Sequence, residues 1–198
     1  MLFSTRSILA GALALPFCAS AQFTVYTSTN SDLTADFVSC LAPDSNGIWV
    51  GTSEGLNHFD GLTWMNWTTG NSDLPAPVVT DLAVEADGHL WSWNYDQGCS
   101  RFDGTTFEHF TSMDGLSDNS GSNVMVLGNT VYAGTYSGLS TLQGSTWTTI
   151  NSNSSELPND DVRDCDIDGT GGLWIPTFGG GVAYYDGTWT VMNTGNSD

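Results

Sequence analysis

The feature that most limits what this chain can become is a repeat. Trp49, Trp91, Tyr132 and Trp174 stand 42, 41 and 42 residues apart, and the leucines that precede each unit, Leu33, Leu74, Leu116 and Leu157, step by 41, 42 and 41. The Asp-Gly or Gln-Gly pairs at Asp60, Asp103, Gln143 and Asp186 step by 43, 40 and 43. Three markers therefore keep one period. A period near 42 is the length of one propeller blade, four short antiparallel strands joined by tight turns. A single sheet of that size cannot cover both of its faces, so each Trp-bearing face must pack on the next unit.

Within the first unit, VSCLA, IWV, LNHF and LTWMNW read as strands separated by DSNG, GTSEG and Asp60-Gly61. The last of these is the signal of a two-residue hairpin. No ten-residue stretch carries a helical apolar period. The fold class expected is all-β: a β-propeller built of four-stranded antiparallel blades, about four blades present, forming an incomplete ring. The repeats occupy 22–198, with blades at approximately 27–67, 68–110, 111–150 and 151–192. Fourth strands open with an aromatic residue nine or ten positions before the next leucine, and Phe23 stands ten before Leu33. Residues 22–26 thus read as an extra outer strand whose three companions are missing. The expectation is part of a longer propeller, with those companions beyond Asp198; a closed four-bladed ring competes and leaves one strand unpaired.

Charge excludes two partner classes. With 22 acidic residues against three arginines and no lysine, the formal net charge is −19, a surface that repels nucleic acid and anionic headgroups. The first 21 residues combine Arg6, an apolar run from Ile8 to Phe17 and the ending Ala19-Ser20-Ala21, the pattern of a cleaved secretory signal. The run is too short to span a bilayer, so the chain is expected to be secreted, on the cell surface or periplasmic, without membrane insertion. Cys40, Cys99 and Cys165 then remain. Cys40 and Cys165 stand nine residues before Trp49 and Trp174, where Leu82 stands before Trp91, and Cys99 takes the place of Leu56, Leu139 or Val182. All three read as small buried hydrophobes rather than a disulfide framework or a metal site.

The runs GIWVGTSEGLNHFDGLTW and GLWIPTFGGGVAYYDGTW resemble the two-component regulator propeller repeat, a family of β-propeller blades from extracytoplasmic sensor and secreted bacterial proteins. The resemblance covers about residues 23–198. The third unit departs from it by Tyr132 in place of Trp, the second by Trp93-Asn94 in place of Gly-Thr. The resemblance implies a binding or sensing module that recognises glycan fragments and passes the signal to an attached kinase, or one that sits outside the cell within a large secreted protein. A C-terminal kinase or sorting domain would then be missing from this chain.

Chemistry is sparse. Asp164-x-Asp166-x-Asp168-Gly169 opens like a calcium loop, but Ile175 stands where a bidentate Glu is needed, and the segment aligns with turns in other units. His58, His89 and His109 fall at unrelated places. No catalytic residue, metal or cofactor is expected. One constellation points to a ligand: four residues after each central aromatic stand Ser53, Tyr95, Tyr136 and Phe178, with Trp93 just before Tyr95. Turns have no packing reason to be aromatic in three units of four. On one rim, Trp93, Tyr95, Tyr136 and Phe178 would form a ledge for a carbohydrate or peptide; the competing reading folds these rings back over neighbouring blades. Two other functions stay open. One is a hydrolase or lyase acting on polysaccharide, which needs a His or an acidic pair converging on the central funnel; the other is an adhesion or scaffold protein.

Overall fold

The structure, a computed structural model, describes residues 23–196, so the expected signal segment at 1–21 lies outside the described residues. Sixteen strands form four sheets, each a simple antiparallel meander. The first blade holds β1 (Val38–Pro43), β2 (Ile48–Thr52), β3 (Leu56–Phe59) and β4 (Trp64–Trp67). The second holds β5 (Val79–Val84), β6 (Leu90–Asn94), β7 (Gly98–Phe102) and β8 (Phe107–Phe110). The third comprises β9 (Gly121–Leu127), β10 (Thr130–Thr135), β11 (Gly138–Gln143) and β12 (Thr146–Ile150), and the fourth β13 (Asp166–Ile167), β14 (Leu173–Thr177), β15 (Gly181–Tyr185) and β16 (Trp189–Met192). The first strands β1, β5 and β9 lie against one another and the fourth strands lie outermost, the radial arrangement of a propeller. Among the described residues no helix is long and apolar enough to cross a membrane.

Apolar alternation explains the core. Successive strand residues face opposite sides of a sheet, so each blade has a trailing face, carrying its central aromatic, and a leading face. Trp49 and Ala42 of the first blade pack against Leu74, Val79, Leu82, Leu90 and Phe102 of the second. Trp91 and Cys99 of the second pack against Leu116, Val124, Val131 and Trp147 of the third. Tyr132 and Leu139 of the third meet Leu157, Cys165, Leu173 and Ile175 of the fourth. Three clusters therefore join four blades in one direction around the axis.

A polar latch accompanies the central tryptophans. Trp49 Nε1 donates to Asp44 (2.9 Å), Trp91 Nε1 to Glu85 (2.5 Å) and Trp174 Nε1 to Asp168 (3.0 Å). Each carboxylate comes from the turn joining the blade's first two strands, so the indole N–H is satisfied both where the ring is buried, as in Trp49 and Trp91, and where it is exposed, as in Trp174. Asp168 also accepts from Thr170 and Gly172, which hold its carboxyl well below the usual range. The Asp164–Gly169 segment thus runs through strand β13 (Asp166–Ile167) into the Asp168–Gly172 turn that precedes β14. Across the strand, His58 joins Asp44 (3.1 Å) and Arg101 joins Glu85 (3.0 Å), so two positions that look unrelated in sequence occupy one place beside the latch.

The structure corrects three details. The Asp60-Gly61 pair opens a four-residue loop, Asp60–Thr63, in which the Asp60 carboxylate accepts both the Leu62 and Thr63 amides and Gly61 has φ +94°; β4 starts at Trp64. The turn between Ala42 and Trp49 is one residue shorter than that between Ala83 and Trp91, so Cys40, opposite Gly51, matches Asp81, opposite Trp93, rather than Leu82. Cys40 is consequently only half-buried, whereas Cys99 and Cys165 are buried; all three are free thiols, and burial raises the Cys40 thiol to about 12. Residues 23–26 enter no ladder among the described residues, although Tyr26 packs on Phe59 and Trp64 with ring centroids 5.0 and 5.5 Å away.

Candidate binding rim

The turns joining second and third strands close in one recurring way. Thr52, Thr135 and Thr177 turn their hydroxyls onto the carbonyls of Gly55, Gly138 and Gly181 at 2.9, 2.8 and 3.0 Å. The next residue then donates its amide to the segment entering the same blade: Ser53 to Phe37, Tyr95 to Val78, Tyr136 to Ser120 and Phe178 to Asp161, at 3.1, 3.1, 3.1 and 2.8 Å. Fixed main-chain bonds place these four residues at one end of their blades, beside the loops that connect blade to blade.

Their side chains fare differently. Tyr136 and Phe178 come together through Arg163, whose guanidinium carbon lies 4.7 Å from the Tyr136 ring centre and 4.8 Å from that of Phe178. Arg163 is held in turn by Asp161, with Nε and Nη2 each 2.7 Å from a carboxylate oxygen. The result is an aromatic–cation–aromatic stack bridging the third and fourth blades, with Tyr136 43% and Phe178 66% exposed. Tyr95 stands on the second blade, 56% exposed, outside that stack. The neighbouring Asp96 and Asp118 carboxylates accept the Ser120 and Ser137 hydroxyls, both at a 2.9 or 2.8 Å distance, and tie adjacent loops together.

Trp93 is not part of an exposed ledge. It is fully buried at 0% exposure, packed with Cys99, Leu116 and Val124 between the second and third blades. Its strand position points it into that interface, and Gly121 makes the room: a Cβ there would come within 2.6 Å of the indole. Arg163 was not among the residues singled out from sequence. The signal it offers is rarity, since it is one of three arginines in an acidic chain.

Nearer the axis lies a second polar group. Asp81 on β5 accepts the Val124 amide (2.8 Å) and the Asn123 side-chain amide (3.1 Å), and Asn123 also donates to Asp164 at 2.8 Å. Desolvation, aided by the Asp164 charge, raises the Asp81 carboxyl to about 6 despite those bonds. Elsewhere, Glu85, Asp87 and His89 bring three ligand atoms within 4.8 Å of one another, but Arg101 already places a cation against both carboxylates. Glu85, Asp87 and Arg101 border a cleft of about 840 Å³ between the second and third blades.

Residues 32–54 match the two component regulator propeller family, so the repeat recognised in the sequence is shown on the first blade's inner strands. Among solved structures, the chain is similar to the extracellular domain of a hybrid two component system from B. thetaiotaomicron, at 24% identity and TM-score 0.66, covering 81% of this chain and 22% of that one. It is also similar to the extracellular domain of a one component system from the same organism, at 15% identity and TM-score 0.66, with 79% and 25% covered. Virginiamycin B lyase from Staphylococcus aureus shares the fold at 13% identity and TM-score 0.59, with 78% and 55% covered. The chain spans a quarter or less of the two sensor domains. No curated protein matches it. The shared fold is the β-propeller.

Proposed function

We propose that this chain is the blade region of an extracytoplasmic sensing protein, and that it binds a glycan or peptide on its rim without catalysing a reaction. The observation that carries the reading is the exposed Tyr136–Arg163–Phe178 stack. Two aromatic faces locked by a guanidinium stay apolar and pre-ordered, so little side-chain entropy is lost when a sugar ring or a peptide side chain stacks on them. Carboxylates and amides around the stack supply acceptors and donors for hydroxyls. The extracellular sensor domains that share this fold support the reading, as does the chain's likeness to the regulator propeller repeat on residues 32–54. The test is a glycan and peptide array probed with the chain and with Tyr136→Ala. Retention of defined ligands that the variant loses supports the proposal; ligands retained equally by both would place binding elsewhere, and a chain that retains none would be a scaffold.

A specific observation favours a second reading. Asp81 and Asp164 approach one amide near the axis, and a carboxyl raised to about 6 is suited to general acid work in a polysaccharide hydrolase or lyase. Reducing-end or unsaturated-product assays on array ligands decide it: turnover abolished by Asp81→Asn would replace the binding-only reading.

A further inference from the structure

The cleft between the second and third blades exists because the repeat changes there. At the first interface Leu90 and its strand neighbour Phe102 fill the space beside Trp49 and Trp67. One blade on, the same places hold Val131 and Leu142, and Phe110 stands where the first blade has Trp67. Each is the smaller residue, and side chains of reduced volume leave a gap that the sheets do not close. The turn that could cover the gap is short: β9 returns into β10 through Gly128–Asn129, whereas Glu85–His89 separate β5 from β6. About 840 Å³ stays open, a size suited to a small molecule.

This cleft is separate from the rim. In an antiparallel meander the β5–β6, β9–β10 and β11–β12 turns, which border the cleft, lie at the end of the blades opposite the β6–β7 and β10–β11 turns that carry Tyr95 and Tyr136. One wall is aromatic: Trp91 stacks on Phe110 with centroids 5.1 Å apart, and Trp147 meets both edge-on at 6.3 and 5.8 Å. Trp91 Nε1 is already bonded to Glu85. Trp147 is only 9% exposed, and its indole N–H is buried without an acceptor among the described residues. Leaving such a donor unmet is costly, which favours a ligand that brings an acceptor to it.

The remaining lining is acidic. Glu85, Asp87, Glu108 and Asp114 border the cleft against one fixed cation, Arg101. Arg101 is already engaged with two of them, its Nε 3.0 Å from Glu85 and its Nη2 3.6 Å from Asp87. Glu108, opposite Arg101 on β8, and Asp114 leave the cleft with a net negative charge, and the chain has no lysine to offset it. We propose that this cleft binds a small organic cation: a protonated amine carried on an apolar ring that also bears one hydrogen-bond acceptor. The ring lies against Trp91, Phe110 and Trp147, the ammonium meets the carboxylates, and the acceptor takes the Trp147 N–H. The site does not depend on what binds at the rim.

Titration calorimetry of the whole chain with tyramine, its alcohol analogue and its carboxylic acid analogue tests this. Tyramine is expected to bind about tenfold more tightly than either analogue, and more weakly as salt rises. Leu142→Phe supplies the ring that Phe102 provides one blade earlier, and is expected to abolish binding without lowering the melting temperature. Trp147→Phe keeps a ring but removes the N–H, and is expected to weaken tyramine about three- to tenfold. Tyr136→Ala, at the other end of the blades, is expected to leave tyramine affinity unchanged. Tyramine bound no better than its alcohol, or no binding of any of the three, would overturn the proposal. Affinity indifferent to both Leu142→Phe and Trp147→Phe, or lost in Tyr136→Ala, would place the amine elsewhere and overturn it as well.

Discussion

The guanidinium carbon of Arg163 sits 4.7 Å above the centre of the Tyr136 ring while Asp161 holds its other edge. Two cation–π contacts at an exposed site contribute about 0.5–1 kcal/mol each, and the exposed ion pair adds little more. Arg163→Gln should therefore lower stability by about 1–2 kcal/mol and leave the blades folded, as a thermal melt would register. Any rim ligand should bind several-fold more weakly, because Tyr136 and Phe178 lose the group that fixes them.

The position of a tryptophan around the arc, rather than its place in the repeat, should set the cost of removing it. Trp91 is 1% exposed between two blades, so Trp91→Ala should cost about 3–5 kcal/mol. Trp174 occupies the same place in its repeat at 37% exposure, and Trp174→Ala should cost at most about half as much. Urea unfolding of the monomeric chain measures both. Equal costs would mean that the fourth blade's flank is covered.

This contrast also shows what the sequence reveals and what it conceals. The period of Trp49, Trp91, Tyr132 and Trp174 made the blades legible, because a ring buried against a copy of its own sheet must recur at blade length. The repeat alone puts Trp93 at the rim, because the other units have Gly51, Gly134 and Pro176 there, and nothing in a single repeat says that Gly121 of the next blade leaves space for an indole. Arg163 is not legible in the repeat because it lies outside the repeat's markers, and its partners are 27 residues before and 15 after it. Contacts that cross from one blade to the next depend on how the blades are turned, which periodicity does not encode. The one-residue difference in turn length before Trp49 misregistered Cys40 for a related reason: counting back from the tryptophan ignores the turn in between.

Asp81 should make stability depend on pH. Its carboxyl is raised from the ordinary value of 3.8 to about 6 in the folded chain, mainly by desolvation. Between those values the folded state holds more protons than the unfolded one, so this group's contribution is fully present below about pH 4 and is lost as pH rises through 6. The change is on the order of 2–3 kcal/mol. Charged neighbours act on the same spot: Asp164 bonds to Asn123 beside it, and the Cys40 and Cys165 thiols feel its charge. Asp81→Asn keeps an acceptor for the Val124 amide and should flatten the melting temperature between pH 4 and 7; an unchanged slope would assign it to other carboxylates.

The most direct test of the rim as a binding surface is the affinity of one array-selected ligand for the wild type and for Tyr136→Ala/Phe178→Ala, measured by titration calorimetry. Both rings are exposed and their loss removes the same two cation–π contacts as Arg163→Gln, so stability should fall by only about 1–2 kcal/mol and the blades should stay folded at the temperature of the titration. The expected result is an affinity at least tenfold lower, about 1.4 kcal/mol or more. An unaltered dissociation constant would contradict the assignment of the Tyr136–Arg163–Phe178 stack as the binding site.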